Sequence, residues 1–160
     1  MTADLEIRQL SSNDVPLMRA LLTMFGEAFD DAQTYAARPP SEEYLRKVLA
    51  GDAFIALVAL KHGNVVGGLA AYELIKFEQE RSEIYLYDIA VASAYRRQGI
   101  AVALIARLKE IAAERGAFVI FVQANTEVED EPAIALYTKL GKREEVLHFD
   151  IEVNDQNVAM

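Results

Sequence analysis

Apolar and polar positions along this chain follow two periods, and each change of period marks a new element. Leu5 to Leu10 alternates as a strand does. Ser11, Ser12 and Asn13 then offer N-cap side chains, and Asp14 to Phe25 reads as a helix, with Leu17, Leu21 and Met24 at helical spacing. A polar, acidic loop runs through Asp30 and Asp31 and ends at Pro39-Pro40. Ser41 caps a second helix, Glu42 to Leu49, with two acids in its first turn and Gly51 beyond its end. Phe54 to Leu60 and Val65 to Ala71 flank the turn at Lys61 to Asn64 and predict a hairpin. Glu83 to Val91 is a further strand. From Ile100 a helix carries the stripe Ile100, Leu104, Leu108 and Ile111 and stops at Gly116. Phe118 to Val122 is continuously apolar, as in a strand buried on both faces. Glu131-Pro132 opens another helix that ends at Leu140-Gly141, and Val146 to Val153 reads as a last strand.

The predicted order is βααβββαβαβ. Strands first and a strand–helix–strand unit later imply an α/β (α+β mixed) fold, a mixed sheet with helices on both faces. No repeat, low-complexity tract or linker divides the chain, so residues 1–160 are expected to form a single domain.

Composition narrows the function. The 160 residues are 52% hydrophobic, enough for a core without metal or disulfides, and there is no cysteine. That excludes a thiolate metal site and a cysteine nucleophile and fits a cytoplasmic location. The N-terminus lacks the pattern of a secretory signal, and no apolar run is long enough to span a bilayer. A formal net charge of −9 opposes nucleic-acid binding and favours a cationic partner, although acidic balance is most often plain surface charge.

The segment Arg96-Arg97-Gln98-Gly99-Ile100-Ala101 lies between a strand and a helix. A helix start presents unpaired N–H groups and positive partial charge, a seat for phosphate. Gly99 and Ala101 leave room for a ligand near the backbone, and two arginines add charge. No Gly-Lys-Ser/Thr follows and the paired glycines of a dinucleotide fingerprint are missing. Alone, the pattern reads as a basic turn capping a helix rather than as a phosphate site.

Its context decides. IAVASAYRRQGIAVALIARL resembles the acetyl-CoA signature R/Q-x-x-G-x-G/A of the GNAT superfamily of N-acetyltransferases, matched at Arg96, Gly99 and Ala101. The resemblance implies a mostly antiparallel central sheet splayed between strands 4 and 5. It implies that the strand residues Ile89, Ala90 and Val91 meet the pantetheine arm through their backbone. Arg96, Arg97, Gln98, Gly99, Ile100, Ala101 and Val102 would surround the pyrophosphate, and Asn125 would bond an amide of the cosubstrate acetyl-CoA. No metal is called for.

Amine acetylation requires a base for the ammonium and an acid for the departing thiolate. Tyr137 stands in Ala135-Leu136-Tyr137-Thr138-Lys139-Leu140-Gly141, which resembles the family's A-x-Y-x-K-x-G segment, where the tyrosine is the acid; a tyrosine on a helix is otherwise a core residue. Lys142 departs from the aromatic that often follows. Glu83 and Asp88 are the candidate bases. On a regular strand Asp88 would share a face with Ile84 and Leu86, so a bulge, which the superfamily has at this place, is expected to re-aim it. Glu83 taken alone is a charged strand end.

FGEAFDDAQTY, KFEQERSEIYLYDIAV and ALYTKLGKREEVLHFDI resemble the type I aminoglycoside 3-N-acetyltransferases, which confer antibiotic resistance. The acceptor implied is a polycationic aminoglycoside, held by Asp30, Asp31, Glu83, Asp88, Glu129, Asp130 and Asp150. Each acid singly is surface charge, and His148 is a surface or structural histidine. Two alternatives stand beside this one: a GNAT enzyme for a polyamine or peptide amine, and a non-catalytic acyl-CoA-binding module. A homodimer is compatible with the resemblance.

Overall fold

A computed structural model describes residues 4–154 of the chain. The first compact unit runs to Gln123 and the second starts at Ala124. The first unit contains, in order, β1 (Leu5–Gln9), α1 (Val15–Ala28), α2 (Ala32–Tyr35), α3 (Glu42–Ala50), β2 (Phe54–Lys61), β3 (Asn64–Ile75), β4 (Ser82–Val91), α4 (Ile100–Arg115) and β5 (Ala117–Val122). The second contains α5 (Glu131–Leu140).

The five strands form one sheet in chain order, antiparallel from β1 to β4 and parallel between β4 and β5. This is the mixed sheet that the pattern implied, mostly antiparallel as the resemblance implied. Two adjacent glycines on β3 reveal what covers it. A Cβ on Gly68 would meet Leu21 of α1, and a Cβ on Gly67 would meet Ile100 of α4. Successive strand residues point to opposite faces, so α1 and α4 lie on opposite sides. On the α1 side, Val15, Met18, Leu21, Met24 and Phe25 pack with Leu45 and Leu49 of α3 against Ala56, Val58, Leu60 and Ala70. On the other side, Ile100, Leu104, Leu108 and Ile111 are all buried, the stripe that the spacing predicted.

Four expectations need correction. The buried face of α1 is centred on Met18, Leu21 and Phe25, and Leu17 is only half-buried at its flank. Its start is not capped by the serines: Asp14 accepts bonds from the Ser11 backbone N–H at 2.8 Å and the Ser11 hydroxyl at 3.1 Å. The loop after α1 contains the short helix α2, nucleated by Asp31, whose carboxylate accepts the Thr34 N–H at 3.0 Å. β5 is not buried on both faces, because Phe118 and Val119 are exposed and the Arg81 guanidinium covers the Phe118 ring at 3.6 Å.

A larger departure is the last strand. Residues 146–153 carry strand alternation but form no strand, and Val146, Leu147, Phe149, Ile151 and Val153 are all exposed. Alternation defines two faces; it becomes a strand only where a neighbour completes the ladder. Among the described residues, no helix is long and apolar enough to cross a membrane.

Candidate functional site

The middle of β4 is irregular. Asp88 lies opposite Ala70 and Leu86 opposite Ala71, so Tyr87 is an extra residue, a β-bulge. Residues directly opposite each other on an antiparallel pair share a face. Leu86 therefore follows Ala71 toward α4, whereas Asp88 follows Ala70 into the layer of α1. Without the bulge a carboxylate would sit among Ile84 and Leu86, both fully buried. With it, Asp88 reaches the Tyr35 hydroxyl of α2, which donates to Oδ2 at 2.7 Å. Burial raises the pKa of Asp88 above the ordinary carboxylate value, and the Tyr35 bond partly opposes this. Burial first, and then the bond to Asp88, raise that of Tyr35, so the phenol remains a donor at all physiological pH values.

Tyrosines surround this carboxylate. Tyr87 packs edge-on to Tyr72 at 5.6 Å and to Tyr85 at 5.5 Å, and Tyr85 stacks on Phe121 at 4.6 Å. The Tyr85 hydroxyl donates to Gln123 Oε1 at 2.9 Å. Tyr72 and Tyr87 are exposed. Tyr35, Tyr72, Tyr85 and Tyr87 were not singled out from the sequence. The signal was present in the alternation Tyr85-Leu86-Tyr87, whose polar-tipped aromatics share a side, but Tyr35 and Tyr72 needed the tertiary pairing.

The second feature begins where β5 leaves β4. Their pairing ends at Leu86–Val122, so residues 87–91 have β3 on one side only. The Ala92 N–H donates to the Val66 carbonyl at 2.8 Å, toward β3. Backbone direction alternates along a strand, so the polar groups of Ile89 and Val91 face the open side and those of Ala90 face β3. The Val91 carbonyl accepts the Arg96 Nε–H at 3.2 Å, which ties the following loop back to the strand. Arg97 and Gly99 both have left-handed backbones, with φ of 63° and 79°. Gly99 is the N-cap of α4, and no side chain caps that helix. A Cβ there would meet nothing within 4 Å, so the space over the helix start is open and the glycine answers to its φ. The amides of Ile100, Ala101 and Val102 open the helix into that space. Lys61, not foreseen, donates to Gln98 Oε1 at 3.1 Å and lies 5.5 Å from the Tyr95 ring centre, a third cation beside Arg96 and Arg97.

The remaining candidates make local contacts of their own. Glu83 shares the tyrosine face but pairs with Lys76 at 3.2 Å. It stands on the order of 15 Å from Asp88 at the rise of a strand, so the two carboxylates do not serve one atom. Asp31 is spent on capping α2, next to Tyr35, and Asp30 precedes it with φ of 51°. In the second unit, Asp130 accepts the Asn125 N–H at 2.8 Å, closing a loop with Glu129 in its short 3-10 turn. Tyr137 lies on α5 and is half-buried. Asp150 is exposed and bonds His148 at 2.9 Å. A concavity of about 630 Å³ is lined by the β3–β4 turn, Arg115 and Gly116, at the end of β4 remote from the loop. Its lining excludes Asp88 and the helix start.

A splayed β4 and an uncapped, basic helix start define one class. The chain belongs to the acetyltransferase (GNAT) family, whose model matches residues 17–142. Among solved structures it is similar to an aminoglycoside acetyltransferase from an uncultured soil metagenomic sample, at 65% identity over 96% of this chain and 100% of the other, with a TM-score of 0.93. A second aminoglycoside acetyltransferase from such a sample, in complex with sisomicin, is 31% identical over 94% and 97% of the two chains, with a TM-score of 0.87. A ribosomal-protein-alanine N-acetyltransferase from Brucella melitensis biovar Abortus 2308 is 26% identical over 92% and 99%, with a TM-score of 0.73. No curated protein sequence matches the chain significantly.

Proposed function

We propose that this protein transfers the acetyl group of acetyl-CoA to the 3-amino group of aminoglycosides. The observation that carries the acceptor class is the 65% identity to an aminoglycoside acetyltransferase over that protein's whole length. The position on the drug rests on the resemblance of KFEQERSEIYLYDIAV and its companion segments to type I 3-N-acetyltransferases.

The chemistry on β4 supports the reading. A polycation with little apolar surface needs carboxylates and hydroxyls, and Asp88 stands among four phenols. Asp88 takes the proton that the ammonium loses before attack, and its raised pKa brings it nearer to a base poised for neutral pH. Glu83, Asp30, Asp31, Glu129, Asp130 and Asp150 supply negative charge toward the acceptor. Acetyl-CoA is held at the other end of the bulge. The backbone edge at Ile89 and Val91 takes its pantetheine arm, and the amides of Arg97, Gln98, Gly99, Ala101 and Val102 take its pyrophosphate, with Arg96 and Lys61 adding charge. Asn125 bonds an amide of the arm, and Tyr137 returns a proton to the departing thiolate.

The test is release of CoA thiol from acetyl-CoA with gentamicin, spermidine or a peptide amine, followed by NMR of the acetylated product. The expected result is turnover with gentamicin and acetylation at the 3-amino group. Turnover confined to spermidine or peptide refutes the acceptor, and acetylation at another amine refutes the position.

A further inference from the structure

We propose that Tyr35 is a positioning residue for acetyl transfer: its hydroxyl orients the Asp88 carboxylate on the β4 bulge and holds it in the ionised form. The inference rests on the proposed role of Asp88 as base.

The geometry is built from both ends. At one end the bulge at Tyr87 turns Asp88 out of the α4 layer. At the other, the last turn of α1 prepares a seat for the Tyr35 ring. Phe25 and Phe29 stack at 5.4 Å, and Tyr35 packs against them at 5.9 and 5.6 Å. Gly26 lies between these two phenylalanines, and a Cβ on it would come within 3.2 Å of the Tyr35 Cβ. The missing side chain lets α2 close onto α1. α2 itself is a single turn capped by Asp31, so Tyr35 has its ring fixed by the aromatics and its backbone fixed by the cap. The phenol is left with one free feature, its hydroxyl, and that is spent on Asp88 at 2.7 Å, joining residues 53 apart in sequence.

A buried carboxylate tends toward its neutral form, and a neutral carboxyl cannot accept a proton from an ammonium. A donor that cannot itself ionise at working pH reverses part of that tendency, and a phenol whose own pKa is raised meets the requirement. The titratable groups facing Asp88 are Tyr35 from α2, Tyr72 from β3 and Tyr85 and Tyr87 from β4, with Asp31 beyond Tyr35 and Tyr44 of α3 beyond Tyr72. These are phenols and carboxylates, so the stabilisation of the anion falls to hydrogen bonding. Tyr35 supplies such a bond.

The variant is Tyr35→Phe, which keeps the ring between Phe25 and Phe29 and deletes only the hydroxyl. Removing a bond to the anion raises the pKa of Asp88, so the acid limb of the kcat/KM profile moves to higher pH, by about one unit. The plateau above the limb falls as well, because the carboxylate loses its orienting bond, while the KM for acetyl-CoA stays within about twofold of wild type. Two readouts run together: the pH profile, and direct NMR titration of the Asp88 side-chain carboxyl in labelled protein. 3-Fluorotyrosine at position 35, a more acidic phenol and stronger donor, moves both midpoints the other way, which a loss of packing cannot imitate. Parallel shifts of both readouts support the proposal. An unchanged Asp88 titration in the Tyr35→Phe protein overturns it. A shifted titration with an unmoved acid limb overturns instead the assignment of Asp88 as the base, and the catalytic role of Tyr35 with it.

Discussion

Replacing Gly68 by alanine tests the layer arrangement that positions the whole site. Gly68 lies in the middle of β3, opposite Val58 of β2 and Ala90 of β4, with strands on both sides and α1 above. An added Cβ would stand 2.4 Å from Leu21 Cδ1 and 2.7 Å from the Leu57 carbonyl oxygen. Carbon atoms in contact sit at roughly 3.5–4.0 Å, so the first approach is short by about 1 Å or more. Leu21 is wholly buried within the α1 layer, and Leu57 belongs to the backbone of an interior strand. The methyl must therefore push α1 away from the sheet. Overpacking of this kind costs about 1–3 kcal/mol. Alanine recovers roughly 0.4–1 kcal/mol by restricting the unfolded chain. Because neither neighbour can yield cheaply, the upper part of the range applies and a net loss of about 2 kcal/mol is expected, which lowers Tm by about 4–8 °C for a chain of this size.

Thermal unfolding followed by circular dichroism, with urea titration to confirm that the slope is unchanged, measures this directly. Gly51→Ala is the control. Its φ of −75° suits any residue and the nearest contact of an added Cβ is an ordinary 3.5 Å, so its effect should fall within about 0.5 kcal/mol. A Gly68→Ala protein that melts at or above the wild-type temperature would show that α1 does not press on β3 as described.

Two further substitutions address the proposed chemistry. At Gly99 an added Cβ meets nothing, but φ is 79°, so Gly99→Ala should lower stability by only about 1 kcal/mol through backbone strain. Its acetyl-CoA affinity should fall about tenfold, or ~1.4 kcal/mol, because the methyl stands over the amides proposed for the pyrophosphate; calorimetric titration with unchanged affinity refutes that placement. Tyr137→Phe should slow turnover by roughly a hundredfold while changing acetyl-CoA affinity by less than about twofold, if the hydroxyl protonates the thiolate. Equal loss of rate and affinity would assign it to binding instead.

How much of this was legible beforehand depended on the range of the interactions. The helix from Ile100 to Gly116 and the strands between Phe54 and Val122 were set by patterns within ten or fifteen residues, and they stand within a few residues of where periodicity put them. The caps were less so. Ser41 caps α3 as expected, whereas at α1 the Asp14 carboxylate turns back to the Ser11 N–H and hydroxyl and no side chain caps the helix. The strand expected at residues 146–153 failed because its pattern specified faces without specifying a partner. Tyr35 was invisible for the opposite reason. Nothing local distinguishes it in the acidic loop, and its significance comes from Asp88, far along the chain.

The bulge at Tyr87 ties these levels together, since one extra residue has two consequences that the proposed reaction requires at once. It reverses the facing of everything after it on β4, which takes Asp88 out of an apolar layer and brings it to Tyr35 and the tyrosine rings. It also bends the strand, and the pairing with β5 ends one residue before it, at Leu86. Beyond that point Ile89 and the Val91 N–H face the open side, directly ahead of the loop that carries Gly99 and whose Arg96 bonds the Val91 carbonyl. A base-bearing face and a backbone edge for an extended ligand thus start from the same irregularity. Pairing Tyr87 in register with β3 would restore a regular ladder, and with it would return Asp88 to the layer of Ile84 and Leu86. A lone carboxylate has no place in that layer, so the bulge, the acidic residue after it and the hydroxyl of Tyr35 form one unit, in which no member is explained without the other two.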